Sequence, residues 1–171
     1  MRTILLLLAL SACGDDGSSA VDASIDAYDS ARCLIDGDYG DLGAKTGTTA
    51  QGPQTLTVVL DTGPPRDSFF LKLNAGKGAF AGAPMPGTYP LAGADAASPT
   101  CGVCVNIIAD IVTGQGPSKF YFATAGSVTL TSVTPPIGTV TNLVFTEVDA
   151  GGGVIAGGCS SAIDAMAFST M

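Results

Sequence analysis

Short β-branched runs separated by glycine and proline make up most of the chain after residue 33. Val, Ile and Thr suit a pleated, half-buried surface, and Gly and Pro clusters mark the turns between strands. The same region carries no long stretch with the 3.6-residue apolar spacing of an amphipathic helix. The pattern therefore predicts an all-β body of seven or eight strands, built as an antiparallel β-sandwich or a jelly-roll-like domain.

Alternation within these runs predicts how the strands lie. Residues Ala125 and Gly126 suggest a hairpin turn, and the broken alternation around Thr141 and Asn142 predicts a β-bulge. A short helix is compatible with the alanine-rich stretch 92–98. The predicted strands are 54–60, 68–74, 88–91, 103–112, 119–124, 127–133, 139–148 and 162–169.

Alternation also predicts which side chains share a face. Leu56, Val58 and Leu60 share one face of the predicted strand 54–60, and Phe69, Leu71 and Leu73 share one face of the strand 68–74. In the predicted strand 119–124, Phe120 and Phe122 share a face that we expect to be buried, and this leaves Tyr121 pointing outward. In the last strand, Ile163, Ala165 and Ala167 alternate with Asp164, Met166 and Phe168.

The first thirteen residues have a different character. Arg2 supplies a positive charge, residues 4–10 are an apolar run, and the small residues Ser11 and Ala12 precede Cys13. The run is shorter than the roughly 20 residues that a membrane-spanning helix needs, but it is long enough for the core of a secretory signal. This order predicts an export signal over residues 1–12.

The tetrapeptide Leu10-Ser11-Ala12-Cys13 resembles the lipobox of bacterial lipoproteins. In that family the cysteine thiol is diacylglycerylated, the signal is cut before the cysteine, and the new N-terminus is usually acylated. The resemblance implies that acyl chains on Cys13 hold the protein to a lipid bilayer, with about 0.8 kcal/mol for each buried CH₂. Gly14 stands where an Asp would retain some lipoproteins at the inner membrane, so we expect an outer-membrane anchor facing either the periplasm or the cell surface.

The predicted organisation has three parts. The signal, 1–12, precedes the lipidated Cys13 and a flexible acidic stalk, 13–32, which has few large apolar side chains and five Asp residues. Such a composition buries too little apolar surface to offset its ordering entropy, so we expect this stalk to be disordered. The β-sandwich domain is predicted to span 33–171.

Composition excludes several classes of function. Without Arg2, six basic and 15 acidic side chains remain, a formal charge of −9, which disfavours nucleic-acid binding. The chain has no His, which removes Ser-His and Cys-His nucleophile pairs, His general bases and His metal ligands. We assign no catalytic residue and expect no cofactor.

With Cys13 acylated, four cysteines remain in an exported chain, which implies two disulfides. Three pairings are possible, and we favour Cys33–Cys159, which closes the domain, with Cys101–Cys104 as a small ring. The Cys101–Cys104 spacing also suggests thiol-disulfide activity, but the residues that follow resemble a strand rather than the helix this chemistry uses.

Two acidic motifs are candidate sites. Asp61-Thr62-Gly63 resembles the signature of aspartic proteases, which need two such carboxylates, and the sequence has one Asp-Thr-Gly. At the end of a strand it is more typical of a turn. Asp36, Asp38 and Asp41 form a weak calcium candidate, since their spacing fails the EF-hand pattern.

The sequence therefore favours a membrane-anchored cell-envelope lipoprotein with a non-enzymatic binding or structural role toward an unidentified envelope or extracellular partner. The body, with its Phe120–Thr131 run and closing Cys159 segment, is similar in style to uncharacterised predicted lipoproteins of myxobacterial type, which imply no activity. The alternatives are a Ca²⁺-dependent adhesion module, a carboxylate-based hydrolase, and a Cys101/Cys104 thiol-disulfide protein. Two or more buried Asp residues in one pocket would favour the hydrolase.

Overall fold

The computed structural model describes residues 38–49, 51–52, 54–63 and 65–171. The predicted signal, the stalk and the domain boundary at Cys33 lie outside these residues. Within them, no helix is long and apolar enough to cross a membrane. The strands are β1 (Gly40–Gly47), β2 (Thr55–Val59), β3 (Arg66–Leu73), β4 (Gly87–Pro90), β5 (Val103–Ile111), β6 (Lys119–Val133), β7 (Pro136–Val148) and β8 (Ser160–Thr170).

All eight strands belong to one sheet in the order β1-β8-β7-β6-β5-β3-β2, with β4 pairing alongside β6. Every pairing is antiparallel except that of β1 with β8, which is parallel. The two ends of the sheet meet where Thr48 and Thr57 exchange backbone hydrogen bonds of 2.9 and 2.8 Å. The all-β prediction is confirmed, and the strands form one sheet whose ends meet rather than two separate sheets packed face to face.

One apolar core fills the inside of this sheet. Alternate residues of β2 and β3 face inward as predicted, among them Leu56, Val58, Phe69 and Leu71, all fully buried. The register explains this agreement, because β2 and β3 pair without a break from Thr55 to Val59. An uninterrupted ladder keeps every second side chain on the same face.

The predicted hairpin at Ala125 and Gly126 is wrong, because β6 continues through both residues as one strand of 15 residues. Gly126, at φ +103°, lets β6 bend against β7, and a Cβ there would collide with the backbone carbonyl of Asn142. The predicted bulge at Asn142 is confirmed by its φ of +50° and by the register shift opposite Gly126. The glycine marks a close approach between strands rather than a turn.

The alternation predicted for β8 holds only over its first half. Ile163 faces the core, but Met166 and Phe168 also face it, and Ala167 is exposed. The set of alternate residues that faces the core shifts by one position at Asp164. The reason is that β8 stays paired in register with β7 where β7 bends. The prediction assumed a straight strand with a strict period of two.

The prediction for the aromatic run of β6 is also wrong. Tyr121 is fully buried in the core, whereas Phe122 and the partly buried Phe120 lie on the outer face. There they pack with Cys101 and Cys104 in a second apolar cluster. Both faces of β6 are covered here, so the alternation alone could not identify the inner one. The short helix suggested at 92–98 is present as a single 3₁₀ turn, Gly93–Ala96.

Candidate functional site

The disulfide loop, Cys101–Cys104, runs into the first residues of β5 and is buried. Cys101 and Cys104 are disulfide-bonded with their Cα atoms 5.3 Å apart, in the pairing that the sequence favoured. Their exposed fractions are 1% and 7%. The strand β5, not a helix, follows Cys101, so the local geometry lacks the helix N-terminus that lowers a thiol pKa in oxidoreductases.

Hydrogen bonds fix this loop from two sides. The buried carboxylate of Asp95 accepts hydrogen bonds from the backbone N–H groups of Gly102 and Val103 through Oδ1, at 2.7 and 2.9 Å. On the other side, Nδ2 of Asn74 donates to the carbonyl oxygen of Cys101 at 3.1 Å. These bonds satisfy buried backbone donors and an acceptor, which gives the loop a structural role.

The remaining predicted cysteines are only partly described. Cys159 is buried and disulfide-bonded. Its predicted partner, Cys33, and the predicted lipidation site, Cys13, lie outside the described residues.

A buried polar group joins three strands at the end of the sheet where β1 begins. Asp67 of β3 accepts a hydrogen bond from the Tyr39 hydroxyl at 2.7 Å and another from the backbone N–H of Asp110 at 2.9 Å. The Nζ atom of Lys119 lies 3.4 Å from Oδ2 of Asp110, and the Lys119 side chain is 3% exposed. No sequence motif indicated this group, because its members come together only through the pairing of β3, β5 and β6.

The carboxylates at this end do not converge on one cleft. Among the described residues, Asp110 lines a cleft of about 400 Å³ together with Gln115 and Ser118, but Asp67 and Glu147 do not line it. Glu147 is buried, and its Oε2 accepts the backbone N–H of Cys159 at 2.9 Å. A carboxylate-pair hydrolase requires both acids to face the same substrate.

The acidic side chains of the motifs found in the sequence are exposed where the structure describes them. Oδ1 of Asp61 accepts a hydrogen bond from the backbone N–H of Gly63 at 2.9 Å, which is the turn geometry expected of Asp-x-Gly. Asp41 accepts the N–H of Gly43 in the same way, and Asp38 is exposed. Asp36, the third member of the calcium candidate, lies outside the described residues. The described residues contain no group of three or more His, Cys, Asp or Glu side chains able to hold a metal ion.

A shallow groove crosses the outer face of β7, β8 and β1. Its two parts, of about 460 and 310 Å³, share Ala44, Thr139 and Ala167. Asp41 and Lys45 are the charged side chains of its lining. The groove therefore offers methyl and hydroxyl groups to an extended ligand, with little charge to orient it.

A more polar cleft of about 370 Å³ lies at the opposite end from Asp67, where β2 begins and β3 ends. Lys72 and Lys77 line it, together with the amide side chains of Gln51, Gln54 and Asn74. No sequence motif pointed to this cleft, because its two sides belong to different loops. Two cations and several amides in one concavity are suited to hydrogen bonding with an anion.

Comparison of the chain with models of protein families, with curated proteins and with solved structures found no match in any of the three.

Proposed function

We propose that this protein is a lipid-anchored cell-envelope protein whose all-β body binds or supports an envelope or extracellular partner without catalysis. The anchor is supported by the order of Arg2, the apolar run 4–10 and the small residues before Cys13. Acyl chains on Cys13 would place the body beside an outer membrane, on either its periplasmic or its outer side.

The observation that carries the non-catalytic role is how the buried carboxylates are used. Asp67, Asp95 and Glu147 each direct carboxylate oxygens at backbone N–H groups of neighbouring segments. A carboxylate held in this way links two parts of the backbone, and the same oxygens are not directed at an open cleft. The groove across β7, β8 and β1 instead offers methyl and hydroxyl groups, and the cleft where β2 begins offers two lysines and three amides, which suits binding.

Metabolic labelling tests the anchor. Cells expressing the full chain are fed an alkyne-bearing fatty acid, and the envelope fraction is examined for labelled protein. We expect the wild-type chain to be labelled and to fractionate with membranes, and Cys13→Ser to lose both properties. The matched control, Cys101→Ser with Cys104→Ser, should keep the label, because it retains Cys13 and changes only cysteines outside the signal. Label on the Cys13→Ser chain, or wild-type protein in the cytosol, would overturn the proposal.

Two further measurements test the alternatives. A calcium-dependent adhesion module would show a rise in melting temperature with millimolar Ca²⁺, since a ligand that binds only the folded state stabilises it. We expect no rise beyond that produced by Mg²⁺. A glycoside- or ester-hydrolysing activity that Asp110→Asn abolishes without lowering the melting temperature would contradict the non-catalytic role.

A further inference from the structure

We propose that the cleft between Lys72 and Lys77 is a binding site for a phosphate group, carried by a lipid headgroup or by a free ligand. This inference names a ligand for the binding role proposed above and rests on that role only for its biological setting. It would be a cationic cleft in a chain whose overall formal charge is −8.

Exposed acidic side chains lie mainly at one end of the sheet, where Arg66 is also exposed. Asp38, Asp61 and Asp149 are exposed at the end where β1 begins and where β2 and β7 end. Lys72 and Lys77 lie at the other end. The nearby carboxylate of Asp95 is buried and accepts hydrogen bonds from backbone N–H groups. An anion approaching this end meets local positive potential in spite of the negative net charge.

Lys77 is held in place by the disulfide loop. A Cβ added to Gly102 would collide with the backbone carbonyl of Lys77, so the two segments are in close backbone contact. The Lys77 ammonium donates one hydrogen bond to the carbonyl oxygen of Pro99 at 3.1 Å. An ammonium group has three donors, so two remain for a ligand. A cation with a fixed backbone loses less freedom when it binds.

Lys72 approaches the cleft from a strand. It lies on the exposed outer face of β3, opposite Thr55 of β2 and Cys104 of β5. Among the described residues, no carboxylate forms an ion pair with it. The cleft is therefore lined by one cation on a strand and one on an anchored loop, with the amides of Gln51 and Gln54 as further donors. Charge-assisted hydrogen bonds from such donors are what phosphate oxygens require.

The first test uses the full chain and inorganic phosphate, with amide chemical shifts as the readout. We expect saturable shifts confined to residues 51–54 and 72–77, beyond those caused by sodium chloride at equal ionic strength. Lys72→Gln with Lys77→Gln should weaken binding by about tenfold or more, whereas the control Lys45→Gln, a lysine outside this cleft, should leave it unchanged. Shifts that do not saturate, that match chloride, or that persist in the double variant would overturn the proposal.

A second test separates the two sources of the phosphate group. The Cys13→Ser form of the full chain, which has no acyl chains to insert, is sedimented with phosphatidylglycerol or phosphatidylcholine vesicles. Binding to phosphatidylglycerol vesicles that the double variant loses assigns the site to anionic lipid headgroups. Phosphate-induced shifts without vesicle binding assign it to a free ligand. Loss of both leaves the lipid anchor itself untouched, because acylation of Cys13 is measured separately.

Discussion

The Oδ1 atom of Asp95 lies 2.7 Å from the backbone nitrogen of Gly102, and this contact joins the single 3₁₀ turn to the disulfide loop. The same oxygen accepts the N–H of Val103, the first residue of β5. One buried carboxylate thereby sets where β5 begins and where the neighbouring Lys77 lies.

Asp95→Ala should lower the free energy of unfolding by about 2–3 kcal/mol, because two buried backbone donors lose a charged acceptor. Urea unfolding of the full chain measures this. The control is Asp61→Ala, which removes an exposed turn bond and should cost no more than about 0.5 kcal/mol. Equal effects of the two substitutions would contradict the role of Asp95.

Gly102→Ala should be among the most destabilising single substitutions, with a cost of about 3 kcal/mol or more. The added Cβ meets the backbone carbonyl of Lys77, which cannot rotate away as a side chain can. Gly82→Ala is the matched control, since a Cβ there has no atom within 4 Å. A melting temperature for Gly102→Ala equal to that of Gly82→Ala would refute the close backbone contact between Gly102 and Lys77.

Tyr39→Phe should destabilise the fold by about 1–2 kcal/mol, because the buried Asp67 loses a hydroxyl donor. The bond runs from the residue before β1 to β3 and so spans the region where the two ends of the sheet meet. Tyr89→Phe provides the comparison, since the Tyr89 hydroxyl bonds an exposed carbonyl of Met85. It should change stability by less than Tyr39→Phe in the same thermal unfolding experiment, and the reverse order would be evidence against a closing role for Tyr39.

Asn142→Gly should leave stability unchanged or raise it, whereas Asn142→Val should lower it by about 1–2 kcal/mol. Asn142 is exposed and has a φ of +50°, a conformation that glycine adopts freely and β-branched residues resist. Comparing the two variants by urea unfolding isolates the backbone effect from any loss of side-chain packing. Equal stabilities would mean that the bulge relaxes when the residue changes.

The parts of the fold that depend on local pattern could be predicted from the sequence. Leu56, Val58, Phe69 and Leu71 lie on uninterrupted strands, so their period of two translated directly into burial. The bulge at Asn142 was also predicted, because a break in alternation leaves a trace in the sequence itself. The β1 strand was not predicted, since its glycines and isolated Leu42 lack a strand pattern.

The parts that depend on distant pairing could not be predicted. Gly126 looks like a hairpin turn until Asn142 is known to pack against it. Tyr121 looks exposed until the disulfide is known to cover the opposite face of its strand. The buried group around Asp67 and the cleft between Lys72 and Lys77 depend equally on which strands become neighbours, and no short motif encodes that.

The intact mass of the protein extracted from envelopes, with and without reductant, tests the central claim most directly. We predict a chain that lacks residues 1–12, carries acyl mass on its first residue, Cys13, and gains two hydrogens for each of two disulfides when it is reduced. An unprocessed chain of 171 residues with five free thiols would contradict both the anchor and the exported, disulfide-bonded body.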